Sequence, residues 1–167
     1  MRAVTAFFGH LGIEWDLRQA GPEQLRHLRD LVDVWRSIRD LVATGDLVRG
    51  DTAEGLLLTG VVSTDRSRAV YTLTAVEAQA YDDTWGRIAL PGLEPGRRYV
   101  VRPRLLGIPT EHAAALAPPW WGLMGEEFTG GEYDGGWLSI QGLQTPHLLP
   151  GEPVLFEVRA VDRLIPD

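Results

Sequence analysis

The sequence predicts a mainly β fold, an antiparallel β-sandwich preceded by a strand-loop-helix unit. Two observations carry this. A single long segment, between Pro22 and Gly45, keeps a helical period. After Gly45, glycines and prolines divide the chain into short runs rich in β-branched and aromatic residues. The division gives two units, residues 1–45 and residues 46–167.

The first unit opens with Ala3 to Phe8, an apolar run with β-branched and aromatic members that ends at Gly9, the pattern of a buried strand entering a loop. In the next element Leu25, Leu28, Leu31, Val32, Trp35, Ile38, Leu41 and Val42 recur at spacings of three and four, while Arg and Asp residues fall mostly on other faces. Pro22 and Glu23 suit the start of such a helix, and Gly45 suits a left-handed cap at its end. A single strand and a single helix cannot cover their own apolar surfaces, so this unit reads as a piece of something larger.

The second unit offers strands over Asp46 to Arg49, Gly55 to Ser63, Arg68 to Val76, Gly86 to Leu90, Tyr99 to Leu105, Gly136 to Ile140 and Val154 to Val161. Thr64-Asp65-Arg66-Ser67, a cluster of polar turn formers, joins the second and third as a hairpin. In the last strand Phe156, Val158 and Ala160 alternate with Glu157 and Arg159, which predicts one buried and one wet face. Residues 107–135 form a long irregular connection, and a loop of that length usually packs over something or has a function.

Size and composition set outer limits. A chain of 167 residues buries about two thirds of its unfolded surface, enough for independent folding. A formal net charge of −7 without a run of Lys or Arg argues against nucleic acid and anionic membrane as partners. The absence of cysteine removes disulfides, thiolate zinc sites and cysteine nucleophiles. The start of the chain is too weakly apolar for a signal segment, so a cytoplasmic, non-exported protein is expected.

Candidate chemistry is sparse. Glu14 and Asp16 stand two residues apart, so an extended backbone would turn both carboxylates to one side, as an acid/base pair requires; capping or solvating the following helix is the ordinary alternative. His10 follows the expected strand, where a loop histidine either serves a site or bonds to backbone. With His27, His112 and His147 it shows no metal-ligand spacing, and neither metal nor cofactor is expected. Trp120, Trp121 and Trp137 either form an aromatic platform for sugar rings or pack in the sandwich core.

The segment Phe7-Phe8-Gly9-His10-Leu11-Gly12-Ile13-Glu14-Trp15-Asp16-Leu17 resembles the end of the catalytic barrel in family 36 glycoside hydrolases, the α-galactosidase family. The resemblance continues through Gly60-Val61-Val62, Asp65-Arg66-Ser67, Leu90-Pro91-Gly92-Leu93, Arg98-Tyr99, Gly142-Leu143-Gln144-Thr145-Pro146 and Leu149-Pro150. It implies that residues 1–45 are the last βα unit of a (β/α)8 barrel and that the rest is the family's terminal β-domain. Retaining hydrolysis of α-galactosides in that family uses two barrel aspartates. Both belong upstream of the segment where this chain begins, and no position here matches either motif, so no catalytic residue is assigned. His10, Glu14 and Asp16 would then lie in a loop at the top of the barrel near substrate. A galactoside would bind only within an intact barrel. The implied partners are an upstream polypeptide supplying the missing strands, as in a truncated or split enzyme, or a second copy of the chain.

Overall fold

The computed structural model describes residues 6–9, 11–77, 86–104, 106, 117–124, 127–151 and 153–161. Its centre is a six-stranded, wholly antiparallel sheet built from β1 (Asp46–Gly50), β2 (Leu56–Val62), β3 (Arg68–Ala75), β5 (Arg98–Arg104), β8 (Gly131–Asp134) and β10 (Pro153–Ala160). The order across the sheet is β1-β2-β3-β10-β5-β8. Short pairs are made by β4 (Arg87–Ile88) with β9 (Leu143–Gln144) and by β6 (Leu123–Met124) with β7 (Glu127–Phe128).

Strand alternation gives the sheet two different faces. Leu58, Val62, Tyr71, Leu73, Tyr99, Val101, Phe156 and Val158 point to one face and meet a thin second layer, made by β4, β9, Trp120, Trp121, Leu93 and Leu138. Val61, Val70 and Leu155 point to the other, where Leu31, Ile38 and Leu41 of α1 (Pro22–Thr44) cover them together with Phe7. The helix therefore packs across the outside of the sandwich.

The amphipathic pattern and the observed helix coincide. Pro22 occupies the first turn, and the Gly21 N–H donates to Gln24 Oε1 at 2.9 Å. Gly45 ends the helix in extended backbone (φ −86°, ψ 171°), not in the expected left-handed cap. The reason it is glycine lies in packing, because a Cβ there would meet Val61 Cγ1 at 2.6 Å and the Val62 carbonyl at 2.7 Å. The chain passes directly from α1 into β1 over the edge of β2.

Of the expected strand over 3–8, residues 3–5 lie outside the described residues. Ala6 to Gly9 make a turn in which the Gly9 N–H donates to the Ala6 carbonyl at 3.1 Å. No strand among the described residues pairs with this segment, and an extended run without neighbours has no ladder to hold it.

The β2–β3 hairpin has the expected turn, with Val62 opposite Ala69 and the Ser63 N–H donating to the Arg68 carbonyl at 2.8 Å. Gly60 lies opposite Tyr71, whose ring a Cβ would strike. Two expectations need correcting. Gly135–Ile140, expected as a strand over 136–140, is a short helix, α2, because Asp134 caps it by accepting from the Trp137 N–H at 3.1 Å. A run of six residues shows too little period to separate helix from strand. Glu157, expected to be wet, is 4% exposed, since β10 is an interior strand and Arg104 of the neighbouring β5, with Arg159 of β10 itself, closes over that position.

Candidate functional site

Three regions of the described structure could bear function, and the N-terminal loop is the first. His10 lies outside the described residues. Glu14 is exposed on irregular chain. Asp16 caps the 3-10 turn Leu17–Gln19, accepting from the Arg18 N–H at 3.2 Å and from Arg18 Nε and Nη2 at 2.9 Å each. The Arg18 hydrogen bonds hold the Asp16 carboxyl below its ordinary pKa, which keeps it an acceptor. The capping alternative accounts for Asp16, although the turn it caps precedes α1.

A pocket of about 480 Å³ lies between this segment and α1, lined by Phe8, Leu11, Trp35, Arg39, Val42 and Ala43. Its lining is largely apolar, and the Trp35 indole N–H is buried without an acceptor among the described residues. Ile13, Trp15 and Leu17 remain 46%, 45% and 43% exposed in the adjoining loop. The helix stripe alone does not reveal this surface, because Leu31, Ile38 and Leu41 of that stripe face the sheet.

The second layer holds the tryptophans, and the structure separates them. Trp120 and Trp121 are 4% and 2% exposed and pack edge-on to each other, with Trp120 against Phe156 and Trp121 against Phe128. Trp120 Nε1 donates to the Gln144 carbonyl at 2.7 Å. Both rings are buried in the core, although Trp120 also lines a cleft it shares with Trp137. Trp137 is 38% exposed, stacks on Tyr133 at 5.3 Å, and lies 5.0 Å from the Arg87 guanidinium. Arg87 also donates to the Gln141 and Gly142 carbonyls at 2.7 Å, which fastens the end of α2. A cleft of about 230 Å³ remains between Arg87, Tyr133, Trp137 and Gln144.

The third region is a charge cluster on the helix side of the sheet, where Glu157 accepts from Arg104 Nε at 3.2 Å and from Arg159 Nη2 at 3.0 Å. Glu157 and Arg159 are two apart along one strand, but the meeting of Arg104 with Glu157 depends on strand order. Among the described residues no group of three His, Asp or Glu is placed to hold a metal ion, and no helix is long and apolar enough to cross a membrane.

The sequence of residues 58–154, more than half of the chain, matches the model of the glycosyl hydrolase family 36 C-terminal domain. The chain belongs to glycoside hydrolase family 36, in its C-terminal domain. An α-galactosidase of Escherichia coli is 31% identical over 96% of this chain, and the chain spans 23% of that relative. Among solved structures, an α-galactosidase from Lactobacillus brevis superposes over 97% of the chain with a TM-score of 0.75 at 22% identity. The family 36 α-galactosidase AgaB from Geobacillus stearothermophilus does so over 96%, with a TM-score of 0.73 at 23% identity. The chain covers 20% and 19% of these two structures, respectively. The likenesses in fold extend beyond residues 58–154 to the N-terminal segment and α1.

Proposed function

We propose that this chain is the C-terminal part of an α-galactosidase-like glycoside hydrolase, structural in role and without turnover by itself. In this reading residues 1–45 are the last βα unit of a (β/α)8 barrel, and the β-domain over 46–167 braces the barrel from outside. The observation that carries it is the apolar surface left open by the N-terminal segment, a pocket against α1 and, further along the chain, the exposed Ile13, Trp15 and Leu17. Contiguous exposed apolar surface marks a site where another surface docks. The chain's coverage of about a fifth of its solved relatives supports an upstream polypeptide as that cover.

Assay of the purified chain on an aryl α-galactoside tests the inactivity, and turnover at the rate of an intact enzyme would sink it. Co-expression with the polypeptide encoded upstream tests the cover. The two should co-purify, with activity appearing only in the complex.

Trp137 favours a second reading, a carbohydrate-binding module, because it keeps an exposed edge over a cleft of sugar-ring size. Galactose at millimolar concentration would then change tryptophan fluorescence, and Trp137→Ala would abolish the response. An unchanged spectrum in the parent chain removes this reading.

A further inference from the structure

The helix α1 carries two apolar stripes, and the sheet covers one of them. Leu31, Ile38 and Leu41 are buried against the sheet. Leu28, Trp35 and Val42 form the other, recurring every seventh residue, the spacing at which side chains line a seam with another helix. All three are only half-buried, and Leu25 beside them is 40% exposed. The pocket of about 480 Å³ opens along this second stripe, between Trp35, Val42 and Ala43 on one side and Phe8 and Leu11 on the other. At about 3.6 residues per turn, Arg29, Arg36 and Arg39 border the stripe on the side away from the sheet. Arg29 is exposed, and 67% and 58% of the Arg36 and Arg39 side chains are open to solvent. Their carboxylate partners, Asp33 and Asp40, stand at 3.9 and 3.7 Å, too far for a hydrogen bond, and lie further round the helix.

We propose that this second stripe seats one amphipathic helix of the upstream polypeptide, with apolar residues at heptad spacing and acidic residues along the flank that meets Arg29, Arg36 and Arg39. The inference rests on the reading of the chain as part of a longer enzyme, and it adds the kind of element that docks and the charge it carries. A helix satisfies its own backbone and needs only side-chain contact, whereas a lone strand laid on α1 would leave N–H and C=O groups unpaired. A second copy of α1, laid antiparallel across a twofold axis, would set the arginine flank against itself. Carboxylates on the incoming helix would instead meet three cations, and charge pairs at such a rim select the partner and its orientation.

The Trp35 indole N–H resonance of the isotopically labelled full chain tests it. Two tryptophan-free helical peptides, about three heptads long, carry leucine at heptad spacing, one flanked by Glu and the other by Lys. The resonance should move along a saturable curve with the Glu-flanked peptide, and the Lys-flanked peptide should bind about tenfold more weakly, the sum of a few exposed charge pairs. Arg36→Glu combined with Arg39→Glu should reverse that order. Ala43→Glu, which fills the mouth of the pocket from an exposed helix position, should abolish the shift with either peptide. No saturable shift with either peptide, equal affinity for both in the parent, or an unaltered curve in Ala43→Glu overturns the proposal. A Trp35 shift on concentrating the chain alone, as large as that with peptide, assigns the seat to a second copy and also overturns it. Co-expression separates this inference from the reading beneath it. If the upstream polypeptide co-purifies equally with the parent and with Ala43→Glu, the reading stands and the proposed seat is wrong. If it co-purifies with neither while the peptide preference holds, the seat stands and the reading is wrong.

Discussion

Asp65 stands at the tip of the β2–β3 turn, where its Oδ1 accepts from Ser63 Oγ at 2.7 Å and from the N–H and Oγ of Ser67 at 3.0 and 2.8 Å. These bonds, that from Ser63 first, bring its pKa down to about 2 from 3.8. Because the folded value is the lower one, the turn gains stability that is complete above 3.8 and disappears as pH falls through about 2. Asp65→Ala should therefore melt below the parent near neutral pH, and the two melting curves should converge across that acid window. One residue on, Arg66 holds a left-handed backbone (φ 57°). Tyr99 fixes it by donating its hydroxyl to the Arg66 carbonyl at 2.8 Å while accepting from the Glu94 N–H at 3.1 Å. Tyr99→Phe removes both bonds from a part-buried site and should cost about 1 kcal/mol in urea denaturation. An unchanged midpoint would mean that water replaces the hydroxyl.

At the scale of elements, α1 is anchored through few contacts. Ile38 is fully buried against the sheet residues Val61, Val70 and Leu155, and Ile38→Ala should cost about 3 kcal/mol by urea unfolding. A loss below 1 kcal/mol would show the helix able to settle into the space. Asp134→Ala should cost about 1 kcal/mol through the cap of α2. These two helices also show what sequence can and cannot disclose. Six turns of α1 repeat one apolar stripe, which only a helix explains, whereas α2 shows a single turn and depends on one cap. The β2–β3 hairpin was legible because strand pattern and turn chemistry agree locally. β8 was not, since Gly131-Glu132-Tyr133-Asp134 has no apolar alternation and becomes a strand only by pairing with β5 at the sheet edge. The central place of β10, which buries Glu157, follows from strand order, and no local pattern encodes that. For the same reason the three tryptophans could be noticed but not sorted into core and surface.

For the whole molecule, the apolar surface that the N-terminal segment leaves uncovered decides behaviour in solution. The β-domain closes its own core between the six-stranded sheet and the β4–β9 layer, so its melting should be cooperative. The N-terminal segment contributes Phe7 to the sheet side, yet leaves Ile13, Trp15 and Leu17 about half exposed and forms one wall of an open apolar pocket. Surface of this kind gains free energy at about 25 cal/mol per Å² of apolar area removed from water, whichever partner removes it. In the isolated chain the available partner is another copy. Sedimentation velocity should show reversible association that grows with concentration. The paired substitution Trp15→Ser and Leu17→Ser should weaken that association while leaving the urea midpoint of the β-domain in place, because neither side chain enters the sheet core. Monomers at every concentration would show that the exposed segment folds back on its own pocket, and would count against an external cover for residues 1–45.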